Sequence, residues 1–205
     1  MSKTISRLYG SNAEARAAVR DLEAAGVSHG DISILVSNAD SAYDEKTKSF
    51  PDRDLDGKDD RSEGAATGGG VGAAVGGTAG LLAGLGLLAI PGVGPVVAAG
   101  WLVAALTGAA VGGTTGGIIG ALSQQAGVSD EEANVYAEGL RRGGALVSAK
   151  VDDGEAARVQ SIMDRSSVRV ADRTAAYRKS GWTTYDPNAK PFTRDEVLRE
   201  RSLYR

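Results

Sequence analysis

Between Gly64 and Ser129 the chain carries no Asp, Glu, Lys, Arg or His, and 20 of its 29 glycines fall from Gly64 to Gly127. Those glycines are spaced. Gly64, Gly68, Gly72, Gly76, Gly80 and Gly84 form an unbroken i,i+4 ladder, and Gly100, Ala104, Gly108, Gly112, Gly116 and Gly120 form a second one beyond Pro91-Gly92-Val93-Gly94-Pro95. Residues four apart share one helix face, so each ladder makes a smooth groove where another helix backbone can approach. Glycine costs about 1 kcal/mol per helical position relative to alanine, which favours coil. A Gly-rich coil, however, has no reason to keep a four-residue period. The spacing predicts a glycine-zipper helical hairpin, Ala66–Ile90 and Val96–Gln125, with Pro91 ending the first arm and Pro95 opening the second.

The remaining faces of these arms carry leucines such as Leu81, Leu85 and Leu88, then Trp101, Leu106, Ile118 and Leu122. A helix apolar all round must be buried in protein or in lipid. Each arm, at about 25 to 30 residues, is long enough to cross a bilayer core of about 30 Å. Insertion is marginal, since each strongly apolar residue gains only about 0.3–0.6 kcal/mol. Two covers therefore stay open, membrane lipid or other copies in a soluble bundle. In both, Gly68, Gly72, Gly76, Gly80 and Gly84 with Gly108, Gly112, Gly116 and Gly120 form the expected homo-oligomer interface.

Outside this region the sequence alternates strand-like and helix-like segments. Thr4–Tyr9 reads as a strand, and Ser11 with Glu14 forms a capping box opening a helix that Gly26 closes. Ile32–Val36 alternates as a second strand. Ser129 with Glu132 opens another helix, closed by Arg141-Arg142-Gly143-Gly144; Ala145–Val151 is a strand, Asp153 caps a further helix, and Val168–Val170 reads as a last short strand. Without the hairpin and its exit helix the order is βαβ then βαβ. That predicts an α+β fold, a ferredoxin-like split βαβ sheet with two helices on one face. Residues 1-37 and 128-173 would form this domain, 38-63 an acidic linker, 64-127 the hairpin, and 174-205 a polar C-terminal arm. The arm holds Trp182, Tyr185, Phe192 and Tyr204 and a capping box at Thr193 and Glu196 for a final helix, Arg194–Leu203. A polar arm with spaced aromatics packs on its own domain or on a neighbouring subunit, and a clasp on a neighbouring subunit is the favoured role.

A net charge of −3 and 5% aromatic residues give no nucleic-acid signature. The absence of cysteine excludes disulfides and thiol chemistry. Met1–Arg7 has no apolar run of a secretory leader, so the expected location is the cytoplasm or the cytoplasmic membrane face.

The linker contains the motif with most chemical content. Asp52-Arg53-Asp54-Leu55-Asp56-Gly57-Lys58-Asp59-Asp60-Arg61-Ser62-Glu63 fits the D-x-[DN]-x-[DN]-G-x5-E calcium loop at every specified position. Asp52, Asp54, Asp56, Asp60 and Glu63 would supply carboxylates, Lys58 a backbone carbonyl, and Gly57 the sharp turn. Asp59 stands where such loops carry an apolar residue, and no helix precedes the loop. A solvated acidic linker is the competing reading. His29, the only histidine, sits beside Gly30, and one histidine without cysteines makes no transition-metal site. No Ser/His/Asp arrangement or phosphate loop emerges, so no enzyme is expected.

Several segments together resemble the bacterial general stress (heat-induced stress) proteins with a Gly-rich central region. They are Ser11–Val36, the turn Ala89–Pro95, Tyr136-Ala137-Glu138-Gly139-Leu140-Arg141-Arg142-Gly143-Gly144, and Gly181-Trp182-Thr183-Thr184-Tyr185-Asp186-Pro187-Asn188. The resemblance implies a stress-response role and supplies no catalytic residues. The expected function is a non-enzymatic stress protein that self-assembles through its hairpin, in or out of the membrane. A calcium- or ligand-responsive module, with the acidic loop controlling the hairpin, is the alternative.

Overall fold

The computed structural model describes residues 2–39, 86–111 and 117–202. They form a mixed α/β fold around one five-stranded sheet in which all neighbours are antiparallel, in the order β1-β5-β2-β4-β3. The strands are β1 (Ser2–Tyr9), β2 (Ile32–Ser37), β3 (Gly86–Ile90), β4 (Gly94–Ala99) and β5 (Ala145–Asp152). The helices are α1 (Asn12–Ala24), α2 (Leu102–Val111), α3 (Gly117–Gln125), α4 (Asp130–Arg141), α5 (Asp153–Asp164), α6 (Val170–Lys179) and α7 (Arg194–Ser202).

Successive strand side chains point to opposite faces, so each strand feeds two cores. On one face Ile5, Ile32, Ile34, Val36, Val147 and Ala149 pack against α1 and α5, through Val19, Leu22, Val159 and Met163. On the other, Leu8, Leu35, Val96 and Leu146 pack against α2, α3 and α4, through Leu102, Leu122, Tyr136 and Leu140. β2 is consequently buried along its whole length, serines included. Those serines are satisfied: Ser33 Oγ donates to Ala99 O at 2.8 Å and Ser37 Oγ accepts from Ala39 N at 3.5 Å, while on β1 Ser6 Oγ, opposite Ser148 in the ladder, donates to Ala126 O at 2.6 Å.

The starts of α1 and α4 follow their expected caps, whereas Asp153, expected to cap α5, is its first residue, and the preceding Asp152 makes no side-chain cap bond. Ser11 Oγ accepts from Glu14 N at 3.3 Å, and Ser129 and Glu132 form the full reciprocal box. α4 ends in a Schellman pair: Gly143, at φ +91°, donates to Leu140 O and Gly144 donates to Gly139 O.

The central region departs from expectation. Gly86–Ile90, assigned by its period to a helical arm, is strand β3, and Val96–Ala99 belongs to β4. They form a β-hairpin closed by Pro91-Gly92, where Val93 N donates to Ile90 O at 3.0 Å and Gly92 has φ +71°. Proline followed by a positive-φ glycine is the signature of a type II turn, which reverses a strand as readily as it ends a helix. The flanking Val96-Val97 pair favours the extended form. The helical part of the predicted second arm is split into α2 and α3. No helix among the described residues is long and apolar enough to cross a membrane. The last expected strand is also absent: Val168 donates one backbone bond to Leu8 O at 2.7 Å, and Val170 already begins α6.

Candidate functional site

The first glycine ladder, Gly68, Gly72, Gly76, Gly80 and Gly84, lies outside the described residues, as do Gly112, Gly116 and the calcium-loop residues Asp52, Asp54, Asp56, Lys58, Asp60 and Glu63. Of the second ladder, Gly108 lies in α2 and Gly120 in α3. Among the described residues a Cβ on Gly120 would meet Gln124 Nε2, at 3.8 Å. Gly100 is tightly placed for a different reason. Its φ is +91°, and a Cβ there would come 2.3 Å from Ile32 O, so the glycine lets the exit of β4 cross β2. Among the described residues no three His, Asp or Glu side chains gather as metal ligands, and His29 Nδ1 pairs with Glu23 Oε1 at 2.9 Å.

What the described part of the central region does present is a charge-free stretch whose half-buried side chains pack against the second core. α2 has no charged residue, and around it Trp101, Val103 and Ala105 are half-buried while Ala104 is exposed. On α3, Ile119 is half-buried, and Leu88 on β3 is likewise. β3 is the last strand of the sheet, and among the described residues only β4 pairs with it.

A second constellation lies at the far end of α4, under the C-terminal arm. Glu138 is 2% exposed and Arg142 7% exposed, one helical turn apart. Arg142 Nε donates to Glu138 Oε1 at 2.5 Å, its Nη1 to Glu200 Oε1 at 2.9 Å and its Nη2 to Ser180 Oγ at 3.0 Å. Arg141 forks onto both Glu138 oxygens at 2.7 and 2.8 Å. The arginine faces are covered too: Arg142 stands 4.3 Å above the Tyr177 ring and Arg141 4.5 Å above Phe192. Burial alone would lower the Arg142 pKa, but its bonds to Glu200 and Glu138 outweigh that and raise it. Burial pushes the Tyr177 phenol above its ordinary range.

This cluster packs the arm on its own domain, one of the two placements expected for it. Val197 of α7 is fully buried, with its methyls against Gly143. Upstream, Tyr185 Oη donates to Pro91 O, and Asn134 Oδ1 accepts from Tyr185 N and Thr184 Oγ1 at 3.1 and 2.9 Å. Asp186 and Pro187 lie so close to Gly92 that a Cβ there would stand 2.3 Å from Asp186 O. The arm thus joins the hairpin turn to the end of α4. The arginine pair was visible in the sequence only as a helix terminus. The buried Glu138 had its signal in the Glu-x-x-Arg-Arg spacing, which puts all three side chains on neighbouring faces.

No family model, curated protein or solved structure matches this chain.

Proposed function

We propose that the protein is a non-catalytic bacterial stress-response protein that self-assembles through its uncharged central region. The observation that carries the assembly reading is α2, a charge-free helix on which Ala104 is exposed and Val103 and Ala105 are half-buried. A contiguous apolar patch larger than a few hundred Å² is uncommon on a soluble monomer. Identical copies are an economical cover, because a closed symmetric oligomer buries the same patch on every subunit. The stress role rests on the resemblance of the segments around Ser11–Val36, Tyr136–Gly144 and Gly181–Asn188. A ferredoxin-like core is the finer reading of the fold. It is supported by β5 lying between β1 and β2 with α1 and α5 on one face, although the fourth strand is replaced by the loop before α6.

Light scattering after size-exclusion chromatography tests the assembly. The parent should run as a defined multimer, and Ala104→Glu, which puts a charge on the exposed side of α2, should shift it toward smaller species. A parent mass near 20.9 kDa in detergent-free buffer overturns the reading. Pelleting with membranes, resistant to alkaline carbonate, would instead assign the cover to lipid.

A further inference from the structure

The arm and the body enclose a cavity of about 400 Å³. It lies between the start of α1, the loop joining α5 to α6, the end of α4, and α7. Three guanidinium groups line it, Arg142, Arg173 and Arg201, against two carboxylates, Glu14 and Glu200. Glu200 is already held by Arg142 at 2.9 Å. Arg201 Nη2 donates to Gly143 O at 2.8 Å, which pins that guanidinium at the wall. At the Gly10 side, Glu14 Oε2 and Arg173 Nη2 lie 3.4 and 3.7 Å from where a Cβ of Gly10 would be, so both reach over the same glycine. The hydroxyls of Ser166 and Ser167 stand on the connecting loop, while Leu8 and Val168 form an apolar wall.

We propose that this cavity binds a small organic phosphate. The volume is within the range of about 300–1,000 Å³ that small-ligand pockets occupy. Positive charge is in surplus along the wall, so an anion is favoured over a cation. Guanidinium forks and hydroxyls from several elements match a tetrahedral oxyanion, which offers acceptors in more directions than a carboxylate does. The first turn of α1 opens on the same cavity and adds to the attraction without being needed for it. Arg173 and Ser167 hold the phosphate, and the apolar wall takes the body of the ligand. Glu14 is a carboxylate that lines the cavity as Arg173 does, so its charge opposes an anion there and sets the affinity in the opposite sense.

Isothermal titration of the full chain with inorganic phosphate and with AMP tests the assignment. Both should bind saturably, one per chain, and AMP more tightly than phosphate. Arg173→Gln should weaken binding about tenfold or more, equivalent to about 1.4 kcal/mol. Ser167→Ala should weaken it less, and Glu14→Gln should tighten it, while Arg158→Gln on the exposed face of α5 should leave it unchanged. A purely structural role for these residues predicts no such opposition of sign. Absence of saturable binding of either probe to ~10 mM overturns the proposal, as does equal binding by the parent and a folded Arg173→Gln chain.

Discussion

Single residues in this molecule are constrained most where the backbone turns against a neighbour. Gly143 combines φ +91° with a Val197 methyl 2.2 Å from where a Cβ would stand, whereas Gly26, at φ +90°, has nothing within 4 Å. The pair separates backbone strain from crowding. Gly26→Ala should cost about 1–2 kcal/mol from the left-handed conformation alone. Gly143→Ala should cost a further ~1–3 kcal/mol for overpacking, read from denaturant midpoints at equal slope. Equal costs at the two sites would show that Val197 moves aside freely. The buried phenols give a pH prediction. Burial pushes Tyr136 from 10.0 up to about 12 and raises Tyr9 and Tyr177 as well. In that interval the folded chain keeps protons that the unfolded chain has released, so this contribution to stability is intact below pH 10 and is lost as pH rises through 12. Phenolate absorbance should therefore rise together with the loss of far-ultraviolet helix signal; full ionisation of all six tyrosines in a still-folded chain would refute it. For Asp52–Glu63 the sequence alone carries the expectation. Calorimetry at millimolar calcium should show a site lost in Asp54→Ala with Asp56→Ala, and heat no larger than dilution would remove calcium from consideration.

Between elements, the interaction with most at stake is the Glu138–Arg141–Arg142 cluster that holds the arm. Removing one partner of a buried pair costs about 3–5 kcal/mol because a charge is left uncompensated. Glu138→Gln should lose stability on that scale and release α7 to limited proteolysis, since Arg142 would keep only Glu200 and Ser180. A loss under about 1 kcal/mol would show that the arginines find other partners. At this scale the sequence was a good guide where local signals agreed. The boxes at Ser129–Glu132 and Thr193–Glu196 open helices where expected, and Ile32–Val36 and Ala145–Val151 lie in strands. It misled where a period carried no side-chain information. Glycine has no Cβ, so the period that places Gly100 in a ladder cannot distinguish a helix groove from the strand crossing it makes beside Ile32. Val168–Val170 failed for the opposite reason: two valines suggested a strand, but Asp172 in the first turn and Arg178-Lys179 in the last suit a helix and its dipole. The arm's destination could not be read from composition, because a buried Glu–Arg cluster needs partners far apart in the chain.

For the whole molecule, the sheet has an order of construction built into it. Among the described residues β5 is the only strand that pairs with both β1 and β2, and the register pairs Ser2 with Asp152 and Val36 with Ala145. Residues 2–37 therefore have no sheet partner from the flanks until β5 exists. At ~5–20 residues per second, the ~150 residues separating Ser2 from Asp152 take roughly 8–30 s to synthesise. The uncharged segment from Gly64 to Ser129 emerges during that interval, and Ile90, Val96, Leu102 and Leu122 within it pack on a core to which β5 contributes Leu146. A nascent chain of this protein thus displays these side chains before the strand that completes their core exists, and a ribosome stalled before Ala145 holds them without a finished sheet to receive them.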